Sequence, residues 1–223
     1  FETITAGAGE GNLAGTVTAQ IAEDMTLNGS FGDVRLSVDI GVTASISAAN
    51  ANGVSITGNG TVNITGGLGS GDIDLTAITA DLQFAGSDSV VVPDDAQLIL
   101  TLAQAHNREV TGGGTLVVRG DVTGNDTIDL RSATVETLSF ADDGEDPVTI
   151  DVDDGARLVL SAAQASGQII TGNGTIEVHG VTATTDLSEI AATLEAFIDD
   201  GTDLSANETL DTVDKLYLTA DGA

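Results

Sequence analysis

The sequence of 223 residues contains no cysteine and no tryptophan, and only five phenylalanines, one tyrosine and two prolines. Without cysteine the chain forms neither disulfide bonds nor thiolate metal sites. Its hydrophobic residues, 41% of the total, are therefore mainly Val, Ile, Leu and Ala. Because β-branched side chains pack well on pleated strands and lose rotamer freedom in helices, this composition favours a thin aliphatic core built from strands.

Positive charge is also scarce, with six Lys and Arg against 35 Asp and Glu and a formal net charge of −29. A protein that binds nucleic acid needs clustered cations to displace the counterions of the phosphate backbone. Here the six cations are spread singly along the chain, which argues against nucleic acid and against anionic membrane surfaces as partners. Such a charge also repels itself, so we expect an elongated shape that binds cations.

Long apolar runs are absent as well. No segment approaches the roughly 18 apolar residues that span a bilayer, so we expect no direct membrane insertion. Residues 1–4 do not have the pattern of a signal peptide. We therefore expect a mature segment of a longer chain.

Internal repetition is the strongest signal in the sequence. Residues 98–120 and 158–180 align without a gap at a shift of 60 and are identical at 11 of 23 positions. A third copy lies at residues 46–66, at a shift of 54. A second recurring element lies between the copies, at residues 72–84 and 127–140. The chain is therefore built from repeats of 54 to 60 residues.

Each repeat has the pattern of several short strands. Apolar residues alternate, as at Leu98 and Leu100, which is the period of half-buried strands. Ala-Gln-Ala at residues 103–105 and 163–165 predicts a short helical turn. Glycine-rich turns of the form Thr-Gly-x-Gly-Thr begin at Thr57, Thr111 and Thr171. About three coils of roughly 20 residues fit one repeat, so we predict an all-β fold, a parallel β-solenoid. Tandem β-sandwiches are the alternative.

The last forty residues depart from the repeat. Residues 186–189 resemble a capping box, and the apolar residues that follow have helical spacing, namely Leu187, Ile190, Ala191, Leu194, Phe197 and Ile198. We predict that the solenoid repeats occupy residues 1–182. Residues 183–223 are then a short C-terminal helix that caps the solenoid, or a linker to a further module. The strand-like residues 215–218 favour continuation of the chain into a further module.

Aspartates recur at glycine-rich turns, in Gly-Asn-Asp-Thr-Ile-Asp-Leu at residues 124–130 and Gly-Asp-Ile-Asp-Leu at residues 71–75. Both segments resemble the calcium-binding nonapeptide of the RTX repeats, and the resemblance implies that Asp126 and Asp72 are carboxylate ligands between coils. Independently of this family, oxygen ligands on turns of an acidic chain suit Ca²⁺. The candidate metal ligands are Asp72, Asp74, Asp126, Asp129, Asp153 and Asp154. Each aspartate also fits a turn in which its side chain is solvated or bonds its own backbone.

The larger repeat, with its Leu-x-Leu, Ala-Gln-Ala and Thr-Gly-x-Gly-Thr elements, resembles modules of bacterial surface-layer proteins and repetitive adhesins. This resemblance implies an extracellular location on a bacterial cell surface and a role in self-assembly or adhesion. We therefore expect a structural component of a surface layer or extracellular filament, stabilised by Ca²⁺, whose partner is another copy of itself. The alternative is an adhesin stalk or binding module that recognises a cell-surface glycan or a protein.

Enzymatic activity is not expected. His106 and His179 lie at non-equivalent positions of the repeat, and no serine has the pattern of a nucleophile elbow. Paired carboxylates are abundant, as in solenoid glycosidases and lyases. However, the chain has few of the aromatic and basic residues with which such enzymes bind sugars.

Overall fold

The computed structural model describes residues 17–86, 89–141, 149–199, 202–205 and 210–219. Its strands stack in parallel into a solenoid of about nine turns that contains few helical residues. Every strand pair among these residues is parallel. The prediction of a parallel β-solenoid is confirmed, and tandem sandwiches, which are built from antiparallel sheets, were the wrong alternative.

The strands follow one another in the order β1 (Thr18–Ile21), β2 (Met25–Leu27), β3 (Arg35–Val38), β4 (Thr43–Ser47), β5 (Ile56–Gly58), β6 (Thr61–Thr65), β7 (Gly71–Asp74), β8 (Asp81–Phe84) and β9 (Ser89–Val91). The second half contains β10 (Ala96–Thr101), β11 (Glu109–Arg119), β12 (Thr127–Asp129), β13 (Ala133–Ala141), β14 (Ile150–Val152), β15 (Arg157–Ser161), β16 (Ile170–His179), β17 (Ile190–Asp199) and β18 (Lys215–Thr219). The helices are α1 (Ala48–Ala51), α2 (Leu102–Ala105), α3 (Ala162–Ala165) and a 3-10 turn at Leu210–Thr212. No helix in the described ranges is long and apolar enough to cross a membrane.

The strands form four sheets. The first holds β1, β3 and β5, and the second holds β2, β4, β6 and β8. The third holds β7, β9, β10, β11 and β13, and the fourth holds β12 and β14 to β18. The coil length is seen in the register, since Thr43 pairs with Thr61 and Thr61 pairs with Asp81. This spacing matches the coil predicted from the repeat.

Inward side chains form aliphatic columns along the solenoid. Leu158, Ile176 and Leu194 hold equivalent positions on β15, β16 and β17, and each is 0% exposed. Full burial of such a side chain contributes about 1.5–3 kcal/mol relative to its exposed state. Because each coil covers the one before it, a coil that nothing covers leaves this column open to water.

The Thr-Gly-x-Gly-Thr turns bring the backbones of adjacent coils into close approach. At Gly112 the φ angle is +113°, and a Cβ atom there would lie 2.2 Å from the carbonyl oxygen of Val92. The same approach recurs at Gly58 and Gly172. The repeated glycines therefore let one coil seat against the next.

Consecutive repeats share strands. Strand β7 precedes β8 in the chain but pairs with β10, the strand of the next repeat. In the same way β12 precedes β13 but pairs with β15. Each new sheet thus begins on a strand that the previous repeat supplies, which makes the repeats structurally dependent on one another.

The predicted helical turns at Ala-Gln-Ala are confirmed as α2 and α3. In α3 the Ser161 hydroxyl accepts a hydrogen bond from the Gln164 backbone N–H, and the Gln164 side-chain carbonyl accepts one from the Ser161 backbone N–H. The Gln164 side-chain Nε2 also donates to the carbonyl oxygens of Leu130 at 2.7 Å and Ala133 at 2.8 Å. Gln104 makes the equivalent bonds to Leu75 and Ile78. These glutamines fasten each repeat to the preceding one.

The helix predicted at residues 187–198 is wrong, because this segment forms strand β17 between β16 and β18. Apolar residues four apart, such as Ile190, Leu194 and Ile198, fit the helical period and also the two-residue period of a strand. Stacking on the buried face of β16 favours the strand. Strands β17 (Ile190–Asp199) and β18 (Lys215–Thr219) therefore extend the fourth sheet beyond residue 182.

Candidate functional site

Two of the predicted calcium ligands have cationic partners. The Asp74 carboxylate accepts hydrogen bonds from the backbone N–H and the hydroxyl of Thr76, at 2.9 and 2.6 Å, and forms an ion pair with Arg119 at 3.1 Å. The Asp129 carboxylate accepts hydrogen bonds from the backbone and the guanidinium of Arg131, the shortest at 2.7 Å. The Arg131 hydrogen bonds lower the pKa of Asp129 against the opposing effect of burial. Both carboxylates therefore already bond groups of the same chain.

The bond from an aspartate to the backbone two residues later is a recurrent feature of the coil corners. It closes the Asp-Leu-x turns that begin at Asp74, Asp129, Asp186 and Asp203. The leucine after the first three of these aspartates is 0% exposed. The bonds from Ser188 and Ser205 lower the pKa values of Asp186 and Asp203. These aspartates therefore fix corners that direct a leucine into the core.

The other four predicted ligands, Asp72, Asp126, Asp153 and Asp154, are exposed. The Asp153 carboxylate accepts a hydrogen bond from the Gly124 N–H at 3.3 Å, and the Asp126 carbonyl accepts one from the Arg157 N–H at 2.8 Å. The turns that carry Asp126 and Asp153 are thus adjacent. In the part of the chain that the structure describes, no group of three or more His, Asp or Glu side chains is placed to hold a metal ion. Calcium binding stays a prediction.

A set of ion pairs that we call the charge ladder crosses the outer face of the fourth sheet. Arg157 contacts Glu177 at 2.5 Å and Glu195 at 3.2 Å, and Lys215 contacts Glu195 at 2.6 Å. These four residues lie on β15 to β18. The Glu195 side chain is only 8% exposed. The Lys215 hydrogen bond lowers the pKa of Glu195, with a further lowering by Arg157 and an opposing effect of burial.

A stack of three rings, the ring column, lies beside the charge ladder. The ring centroids of His179 and Phe197 are 4.4 Å apart, and those of Phe197 and Tyr217 are 4.6 Å apart. The interplanar angles of 6° and 15° make both pairs stacked. His179 Nε2 also contacts Glu177 Oε1 at 2.5 Å, so the column and the ladder form one surface. Stacked rings bury aromatic area and stabilise neighbouring strands.

This surface was not predicted from the sequence. The cations are spread singly along the chain, whereas in the structure Arg119, Arg131, Arg157 and Lys215 are all in ion pairs. The available signal was the coil length. Adjacent strands pair residues 177, 195 and 215 in register, and they do the same for residues 179, 197 and 217. Side chains spaced by one coil on the outer face stack in space.

The C-terminal end of the fourth sheet is uncovered by the residues that the structure describes. Strand β18 pairs with β17 on one edge, and no strand within the described ranges pairs with its other edge. Leu216 continues the column of the buried Ala196 but is 50% exposed, and Leu218 is 76% exposed. Tyr217, the last ring of the column, is 38% exposed. This end presents a hydrogen-bonding edge together with two core leucines.

A cleft of about 410 Å³ lies at the junction of the first and second repeats. Arg108 lines it and donates hydrogen bonds to the carbonyl oxygens of Gln104 at 2.8 Å and Leu82 at 2.9 Å, with its guanidinium 4.9 Å from the centre of the Phe84 ring. Burial lowers the pKa of Arg108, and attraction to Asp81 opposes this shift. The later repeat has Gln168 at the equivalent position, so the fold itself does not require an arginine there.

The charge ladder and the ring column join neighbouring strands, and the cleft has Arg108 in its lining. No protein-family model, no curated protein and no solved structure matches this chain.

Proposed function

We propose that the protein is a structural, self-assembling component of a bacterial cell surface, in a surface layer or an extracellular filament. The observation that carries this proposal is the fold, a parallel β-solenoid of about nine turns. In such a fold each coil contacts only its neighbours, so the repeats form an extended body with large outer faces. An extended repeat body with acidic outer faces suits a structural building block.

Calcium binding is the second element of this proposal. With a formal net charge of −29, two copies repel each other unless cations lie between them. Exposed carboxylates at the coil corners, among them Asp126 and Asp153, supply the oxygen ligands that Ca²⁺ prefers. We propose that divalent cations bridge acidic faces of neighbouring molecules and stabilise the assembled form.

The test is electron microscopy of the purified chain with millimolar Ca²⁺, with Mg²⁺ and with EDTA. We expect ordered filaments or sheets in Ca²⁺ and dispersed particles in EDTA, with Mg²⁺ less effective because it retains its water ligands. Dispersed particles under all three conditions would contradict the self-assembly proposal. Equal assembly in EDTA would remove calcium from the proposal and leave the structural role.

The second candidate function is that of an adhesin stalk or binding module, and the Arg108 cleft is the observation that favours it. A cleft with an arginine, Gln104 and three threonines in its lining offers polar groups that suit a glycan or an acidic segment of a protein. The matched variant is Arg108→Gln, because Gln168 holds this position in the later repeat. Screening of the wild-type chain on a glycan array, repeated with the variant, tests this function. Adhesion predicts a soluble monomer whose ligand signal disappears in Arg108→Gln.

A further inference from the structure

We infer that the cleft lined by Asp81 and Arg108 binds a neutral, hydroxyl-rich ligand, namely a saccharide without charged groups. This inference rests on the second candidate function, the binding module, and names the class of its ligand. The cleft volume of about 410 Å³ lies within the range of about 300–1,000 Å³ that is typical of small-ligand sites. Such sites combine apolar surface with a few polar groups, and here Ala80, Leu82 and Ala103 supply apolar surface.

Both charged residues of the cleft depart from the repeat. Gln168 holds the position of Arg108 in the later repeat. Where Asp81 pairs in register with β6, the two later repeats have Thr137 and Thr193. The fold therefore requires neither charge, yet this one junction has both.

The Arg108 guanidinium is held in place with one nitrogen unused. Its Nε donates a hydrogen bond to the carbonyl oxygen of Gln104 at 2.8 Å, and its Nη2 donates one to that of Leu82 at 2.9 Å. Nη1 has no hydrogen-bond partner among the residues that the structure describes. Because a guanidinium only donates hydrogen bonds, Nη1 is available to an acceptor atom of a ligand.

The Asp81 carboxylate offers the complementary group. Its Oδ2 accepts hydrogen bonds from the Thr61 hydroxyl at 3.3 Å and the Gln83 side chain at 2.8 Å, whereas Oδ1 has no partner within the described ranges. Burial lowers the pKa of Arg108 and attraction to Asp81 opposes this shift, so the two charges are close enough to interact. They nevertheless form no ion pair in the described part of the chain. One cleft thus contains a donor and an acceptor that do not satisfy each other.

This arrangement selects the ligand by its charge. A hydroxyl group both donates and accepts hydrogen bonds, so the hydroxyls of a sugar can bond Asp81 and Arg108 together. An anionic ligand would meet the Asp81 carboxylate and a chain with a net charge of −29. A cationic ligand would meet the Arg108 guanidinium. A neutral saccharide avoids both repulsions, which separates it from the acidic protein segment considered above.

The test is calorimetric titration of the purified chain with neutral oligosaccharides of glucose, galactose, mannose or N-acetylglucosamine. We expect at least one of them to bind wild type, and Asp81→Thr and Arg108→Gln should each raise its Kd at least fivefold. Both variants introduce the residue that a later repeat has at this place, so they should fold, which circular dichroism will show. The control is Asp95→Thr, which removes the same charge at an exposed position outside the cleft lining. It should change the Kd less than twofold.

An acidic ligand would give the opposite sign. For a polyglutamate peptide or an oligogalacturonate, Asp81→Thr should strengthen binding because it removes a repelling charge, and added salt should weaken binding. For a neutral saccharide, Asp81→Thr weakens binding, and the Kd changes little between about 50 mM and about 500 mM NaCl. Binding of the acidic probes alone, strengthened in Asp81→Thr, would overturn the neutral ligand class and leave a binding module.

The failures of this inference and of the proposed functions are distinguishable. Binding of a neutral saccharide that is unchanged in Asp81→Thr and Arg108→Gln would overturn the cleft as the site and leave the binding module. No binding of the neutral or the acidic probes would overturn the inference and the binding module together. Neither result bears on self-assembly in Ca²⁺, which electron microscopy tests separately.

Discussion

The two glycines of each Thr-Gly-x-Gly-Thr turn are positions where no side chain fits. A Cβ atom on Gly112 would lie 2.2 Å from the carbonyl oxygen of Val92, and one on Gly114 would lie 2.1 Å from that of Pro93. Backbone atoms cannot move away as the end of a flexible side chain can. The glycine between them, Gly113, would contact mainly the Asp94 carboxylate, which can rotate.

We predict that Gly112→Ala destabilises the fold by about 3 kcal/mol, because it combines a strained positive φ with a backbone clash. The control is Gly113→Asn, since Asn59 and Asn173 hold the equivalent position in the other copies. The control should change stability by less than about 0.5 kcal/mol. Urea unfolding followed by circular dichroism measures both values. Similar losses for the two variants would show that close approach of the coils is not the reason for the glycines.

Gln164 connects two repeats through one amide group. It is 7% exposed, and its Nε2 satisfies the carbonyl oxygens of Leu130 and Ala133. We predict that Gln164→Ala destabilises the fold by about 2 kcal/mol, because two buried acceptors lose their donor. Chemical denaturation is the measurement. Gln83→Ala is the control, since Gln83 is exposed and bonds Asp81; a loss as large as that of Gln164→Ala would contradict the fastening role.

The outer face of β15 to β18 gives the solenoid a pH-dependent element. The pKa of Glu195 is lowered in the folded chain by Lys215 and Arg157. A carboxylate whose folded pKa is lowered stabilises the fold above its unfolded pKa, and this contribution is lost as the pH falls through the folded value. The charge ladder should therefore be most stabilising near neutral pH.

We predict that wild type exceeds Glu195→Gln in unfolding free energy near pH 7, and that the difference disappears as the pH falls below the ordinary glutamate pKa of about 4.3 and through the lowered pKa of the folded chain. Acidification also relieves the repulsion among the other carboxylates, so the difference between the two proteins, measured by urea unfolding, isolates Glu195. The exposed Glu189→Gln is the control and should show no such difference. A difference that does not shrink as the pH falls below the ordinary glutamate pKa would mean that Glu195 acts through packing rather than charge.

Secondary structure was predictable where local and long-range signals agreed. The alternation at Leu98 and Leu100 and the glycine turns indicated strands, and the repeat gave the coil length. The segment around Leu194 was misassigned because apolar residues four apart satisfy both periods, and only the neighbouring strand decides between them. The pairing of β7 with β10 and of β12 with β15 was also unpredictable, since it depends on the register between strands that are distant in the sequence.

The candidate site was predictable only in part. The aspartates could be selected from turn chemistry, which is compatible with both metal binding and local backbone bonds. The structure gives Asp74 and Asp129 local bonds and leaves Asp126 and Asp153 exposed on adjacent turns. The ring column was missed because its members are separated by one coil, and their contact exists only when the register is known.

At the scale of the whole molecule, the described strands stack into a solenoid of about nine turns in which each coil covers the preceding one. The formal net charge of −29 opposes contact between copies in the absence of cations. Association should therefore depend on divalent cations that lie between acidic faces.

Small-angle X-ray scattering of the wild-type chain, over a concentration series with millimolar Ca²⁺ and again with EDTA, tests self-assembly most directly. We predict that the maximum dimension grows with concentration in Ca²⁺ and keeps the single-copy value in EDTA. A single-copy dimension under both conditions would contradict self-assembly.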